Sequence, residues 1–135
     1  MATTTATLTI ASTDLLSDEL ALTTSASLNI AGAATGISQA IGLSRLKISD
    51  TSETTLFDAS VYTDDKAHKV YIKNTSTTAA EFFLVKIAGS EIGRLYAGDF
   101  MIAPWSADTT STDCDITVTP SANNMTVEYM AFIDQ

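Results

Sequence analysis

The run HKVYIK at 68–73 decides the reading of this chain. Apolar and polar residues alternate along it, as they do in a strand with one face buried. Similar runs follow: EFFLVKI at 81–87, RLYAGDFMI at 94–102, DITVT at 115–119 and MTVEYMAFI at 125–133. Between them stand turn-rich segments such as NTSTT, AGS, PWSADTTS and PSANN. Short alternating strands cut by small polar turns predict an all-β fold, two antiparallel sheets packed as a sandwich. About eight strands in one small domain suit a jelly-roll-like arrangement. An immunoglobulin-like sandwich is the alternative, weakened because its Cys…Trp…Cys pattern is missing.

Toward the N-terminus the pattern is blander. Residues 2–10 alternate Ala and Thr and end in Leu-Thr-Ile, which places Leu8 and Ile10 on one face of a strand. Residues 12–19 are a candidate for a short helix capped by Ser12 or Thr13. Alternation resumes at 20–22 and again at 28–30, and 31–42 reads as a Gly-containing loop. Strand candidates follow at 43–48 and around Leu56-Phe57 and Val61-Tyr62, with a turn at 50–53. The expectation is a single sandwich domain over 1–135, with 1–12 an extended arm or edge strand that a neighbouring subunit orders.

The composition limits function more than it assigns one. Thr and Ser make up about a quarter of the chain, and only 17% of residues are charged. Thr is β-branched and suits strands, so a helical bundle is a poor fit. At 135 residues one modest core suffices without metal or disulfide support. The net charge of −9 disfavours nucleic acid and anionic membranes, both of which call for clustered Lys and Arg. A single cysteine allows no internal disulfide, and no apolar run is long enough to span a bilayer. The first ten residues lack the basic and apolar regions of a signal peptide, which implies synthesis and folding in a reducing cytoplasm.

The motifs that carry chemistry are sparse. His68 is the only histidine and stands at a strand start beside Lys69, where a solvated side chain is expected. A hydrolase or lyase would have to rest on it, and no Gly-Xaa-Ser-Xaa-Gly elbow accompanies it. Cys114 lies between acids that disfavour its thiolate. Asp108, Asp113 and Asp115 share one loop and Asp64-Asp65 another, without an EF-hand spacing. Asn74 and Asn124 head glycosylation-like triplets but read as turn residues. Gly89 and Gly93 are placed to bend or bulge strands. No enzymatic function, cofactor or metal is expected. Pro104-Trp105 is the large aromatic at a turn, either an interface anchor or a plug for one end of the sandwich. Arg94 is suited to a bidentate ion pair with a carboxylate of its own or another subunit.

Four stretches carry a resemblance: VYIKNTS at 70–76, EIGRLYAGDFMIAPWSA at 91–107, DITVTPSAN at 115–123 and VEYMAF at 127–132. Together with the Ala/Thr-rich start, they resemble small virion structural proteins of tailed bacteriophages, of the capsid decoration or cement type. The resemblance implies a non-enzymatic protein on the capsid exterior, bound to the lattice of the major capsid protein and self-associated as a homotrimer or a dimer. It makes Leu8, Ile10 and the Pro104-Trp105 loop the candidate contacts. A tail, fibre or head–tail adaptor component, one that binds glycans, is the alternative.

Overall fold

The structure is a computed structural model, described for residues 4–15, 17–29, 37, 39–64, 66, 68–108 and 114–134. It is almost entirely β, and no α-helix occurs among the described residues. The chain divides into two compact units, Met1–Ser38 and Gln39–Gln135. The strands of the sandwich begin at Gln39, and the N-terminal unit is about three times as long as the arm expected at 1–12. Small Ala, Thr and Ser side chains dominate the described residues of the first unit and bury little area each, and Ile37 is the buried hydrophobic residue among those described.

The first unit holds β1 (Thr5–Ser12) and β2 (Leu20–Ser27), paired antiparallel from Thr5↔Ser27 to Ser12↔Leu20. The helix expected at 12–19 does not form, yet its capping contacts do. Ser12 Oγ accepts from the backbone N–H of Leu15 at 3.1 Å and of Asp14 at 3.4 Å. The same hydroxyl chemistry that starts a helix here closes a hairpin, because β2 supplies a partner for every residue of β1.

The second unit is a sandwich of eight strands. They are β3 (Gln39–Ile48), β4 (Thr54–Phe57), β5 (His68–Asn74), β6 (Phe82–Ile87), β7 (Ser90–Tyr96), β8 (Phe100–Trp105), β9 (Ile116–Pro120) and β10 (Met125–Ile133). One sheet has the order β3-β10-β5-β8 and the other β4-β9-β6-β7, all neighbours antiparallel. β3 starts at residue 39 rather than 43. The expected run at 94–102 divides into β7 and β8 at Ala97-Gly98, where Gly98 adopts φ +83, a conformation that glycine reaches without strain. Gly89 (φ +71) serves the β6–β7 turn in the same way, and a bulge sets Val85 against Gly93 but Lys86 against Glu91.

The inward faces interdigitate. Val70 and Ile72 of β5, Phe83 and Val85 of β6, Ile116 and Val118 of β9, and Val127 and Ala131 of β10 are at most 1% exposed. This is the alternation that the sequence shows, with every second residue withdrawn from water. Two buried polar residues bracket β5. His68 opens it at 1% exposure and Asn74 closes it at 0%.

Candidate functional site

Asn74 ties one end of the sandwich. Its Nδ2 donates to the carbonyls of Glu81 (3.1 Å) and Leu95 (3.0 Å), and its Oδ1 accepts from Ser76 N–H (2.9 Å). Leu95 lies on β7, so this side chain reaches from one sheet to the other. The Asn74 backbone binds the β7–β8 turn as well, giving its N–H to Asp99 O (2.9 Å) and accepting from Gly98 N–H (3.1 Å). Every polar atom of the residue is used, as a fully buried amide requires.

The opposite end is closed by aromatic rings. Trp105 is 4% exposed and packs edge-on against Tyr62 (4.9 Å between centroids), with Phe57 at 5.8 Å and His68 at 5.9 Å. Its Nε1–H donates to Cys114 O (2.8 Å). Of the two readings of Trp105, the geometry takes the plug: its ring is spent inside the sandwich. The solvated histidine is corrected too. His68 Nδ1 accepts from Asp134 N–H (3.2 Å), which leaves the proton on Nε2 to donate to Thr63 O (3.0 Å). Both ring nitrogens are thus engaged by backbone groups. Burial against Tyr62 and Trp105 overrides its position at a strand start. Burial also holds the Tyr62 hydroxyl above the ordinary tyrosine range, with Tyr129 and Asp58 adding to the shift.

The loop carboxylates serve the fold. Asp115 Oδ1 accepts from Ala59 N–H (2.8 Å), and Asp58 caps the 3-10 turn Ala59–Val61 by accepting from Ser60 N–H (2.9 Å). Hydrogen bonds from Ser60 hold the Asp58 carboxyl below the usual range. Asp64 and Asp108 line an open depression beside Cys114, while Asp65 and Asp113 lie outside the described residues. Among the described residues, no three His, Cys, Asp or Glu side chains are grouped to hold a metal ion.

The remaining candidate contacts are on the surface. Arg94 lies on β7 with its guanidinium 4.7 Å from the centre of the Phe82 ring, and the Tyr96 ring packs against Phe82 at 5.3 Å between centroids. A cation–π contact thus stands where an ion pair was expected. Pro104 is exposed on β8, an edge strand that tolerates its missing N–H.

Leu8 and Ile10 prove to belong to a larger pattern. In the β1–β2 register, Ile10 faces Leu22, Leu8 faces Thr24 and Ser12 faces Leu20. One face of the hairpin therefore carries Ala6, Leu8, Ile10, Leu20, Leu22 and Ala26, with Ser12 and Thr24 among them. The other carries Thr5, Thr7, Thr9, Thr23, Ser25 and Ser27 beside Ala11 and Ala21, linked across the strands by Thr7–Ser25 (2.8 Å) and Thr9–Thr23 (3.5 Å) hydroxyl contacts. Leu8, Ile10 and Leu22 remain 42%, 44% and 46% exposed. Sequence reading placed Leu8 and Ile10 on one face and found the alternation at 20–22, but did not set Leu22 opposite Ile10.

No protein-family model, curated protein or solved structure matches this chain.

Proposed function

We propose that this is a capsid decoration, or cement, protein of a tailed bacteriophage, seated on the outside of the major capsid protein lattice as a homotrimer. The observation that carries the reading is the hairpin β1–β2, on which Leu8, Ile10 and Leu22 share one face and are each more than two-fifths exposed. A lone two-stranded hairpin is at best marginally stable in water and gains from a surface to lie on. Covering the exposed part of Leu8, Ile10 and Leu22 contributes roughly 1 kcal/mol each, less than half of a full burial. A few kcal/mol per copy is weak alone and strong when repeated over a symmetric shell. Binding to the mature shell in preference to its precursor then stabilises that state by mass action. The strand order of the two sheets supports a finer reading as a jelly roll, in which successive strands pass from sheet to sheet except at the β6–β7 hairpin.

The test is the heat and pressure resistance of particles that lack the protein, measured as genome release on warming. Earlier release is expected, with recovery when the wild-type protein is added back but not when a Leu8→Asp, Ile10→Asp variant is added. Unchanged release from the depleted particles would sink the proposal.

One observation favours a second reading, a glycan-binding tail or fibre component. Tyr96 (43% exposed) and Phe100 (57% exposed) flank Asp99, whose Oδ2 accepts from Tyr96 N–H at 2.9 Å. Rings beside a carboxylate offer a stacking surface and an acceptor for a sugar. Glycan-array binding by the isolated protein that is lost in Tyr96→Ala would favour this reading over the first.

A further inference from the structure

The outer face of the β3-β10-β5-β8 sheet has a charge opposite to the rest of the molecule. Strand registers place its side chains in rows. Arg45, Glu128, Lys73 and Phe100 form one row across all four strands. Met130, Tyr71 and Ile102 form the next, then Phe132, Lys69 and Pro104, and Lys47 stands beside Thr126. Four of the chain's seven bases therefore stand in these rows, with Glu128 as the acid among the paired residues. The residues of these rows have a net charge of +3 in a chain of −9, so all other residues together carry −12.

The carboxylate in these rows is already satisfied. Glu128 Oε2 accepts from Arg45 Nε–H (2.8 Å) and Oε1 from the Tyr71 hydroxyl (3.2 Å), and the Arg45 contact holds its carboxyl below the ordinary range. Apolar side chains border the cations on both edge strands. Leu43, two residues before Arg45 on β3, is 58% exposed, and Phe100 and Ile102 on β8 are 57% and 47% exposed. Four strands about 4.8 Å apart and some seven residues long make a footprint of roughly 450 Å². That is about half the area per partner of a standard stable interface, and it suits a weak contact or one of several made together.

We propose that this face docks an acidic protein surface, one with carboxylates set among apolar side chains. Three arguments select that occupant. An isologous contact between two copies would set the four cations against the same four, so a symmetric dimer through this face is disfavoured. A nucleic acid would meet a +3 face on a body of −12, too little for the phosphate neutralisation on which such binding depends. Apolar groups on both edges want apolar partners, which a protein supplies. The inference goes beyond the decoration reading and does not depend on it, since the hairpin and this face are separate features.

The test is the binding of a synthetic peptide of repeated Glu-Glu-Leu to the whole protein, followed by fluorescence anisotropy at low and high salt. Binding that weakens with salt is expected. Lys47→Glu, Lys73→Glu should reduce affinity at least tenfold, and Arg94→Gln on the other sheet should leave it unchanged. Intrinsic fluorescence of Trp105 would confirm that each variant is folded, and Lys47→Gln, Lys73→Gln provides a milder pair should the reversals fail to fold. Three results would overturn the proposal: no peptide binding, equal binding by the charge-altered variants, or single-stranded DNA binding as tightly as the peptide.

Discussion

Replacing Asn74 by alanine should cost the sandwich roughly 3–5 kcal/mol. The side chain is 0% exposed and makes three hydrogen bonds, to the carbonyls of Glu81 and Leu95 and from the N–H of Ser76. Each buried group left without a partner costs about 1–3 kcal/mol, and water entering the vacated space offsets part of the total. Since whole domains are stable by about 5–15 kcal/mol, the loss is a large fraction. For a domain near this size, each kcal/mol lowers Tm by about 4–8 °C, so a drop of at least ~12 °C is expected. Trp105, the chain's single tryptophan and 4% exposed, reports unfolding of the sandwich in urea. Asn74→Asp sharpens the test. It keeps the acceptor for Ser76 but turns an oxygen toward two carbonyl oxygens in a dry site, which raises the pKa of the introduced carboxyl. A raised acid contributes stability below its unfolded pKa and loses it as pH rises through its folded pKa, so the deficit against wild type should narrow on acidification. Thr77→Ala, at an exposed neighbour, should change stability by less than about 0.5 kcal/mol. A cost below about 1 kcal/mol for Asn74→Ala would refute the account of this residue as the tie between the sheets.

His68→Leu should destabilise by about 1–3 kcal/mol, because Thr63 O and Asp134 N–H lose their partner, and particle stabilisation should survive wherever the variant is folded. Loss of activity in a folded variant, measured by the genome-release assay, would bring back a chemical role for the ring. Equilibrium unfolding against pH should show an acid limb below about the ordinary carboxyl value of 4.5, because Glu128, Glu53 and Asp58 are held low by hydrogen bonds from Arg45, Lys86 and Ser60 and lose that stabilisation as pH falls through their folded pKa values. Glu128→Gln should shallow that limb, and an unchanged limb would contradict the Arg45 pairing. An alkaline limb should begin above 10.0, where Tyr62 and Tyr71, raised chiefly by burial, lose stabilisation as pH rises through their folded values. A fragment spanning Gln39–Gln135 should keep a cooperative Trp105 transition, since among the described residues the core cluster begins at Ile48, with Leu46 packed against it.

Alternation made the second half legible. β5, β6, β9 and β10 fall within a residue of their expected bounds, because each has one buried face and period-two patterning records which face that is. The N-terminal half was less legible for the same reason. A Thr/Ala hairpin with one apolar face and one hydroxyl face shows weak contrast, and Ser12 advertised a helix start while serving a turn. Burial of His68 was invisible because it depends on Trp105, distant in sequence and brought opposite it by the pairing of β5 with β8, and on Tyr62 folding back over the ring. The cationic face was hidden for a related reason. Arg45, Lys47, Lys69 and Lys73 come from two separated stretches of an acidic chain, and only the insertion of β10 between β3 and β5 gathers them.

Copy number in purified particles tests the central claim most directly. Quantitative mass spectrometry of this chain against the major capsid protein should give a ratio near one or a simple fraction of it, as a lattice-bound decoration protein requires. A handful of copies per particle would contradict a shell location and point to the tail or a vertex, and complete absence from particles would contradict a virion role altogether.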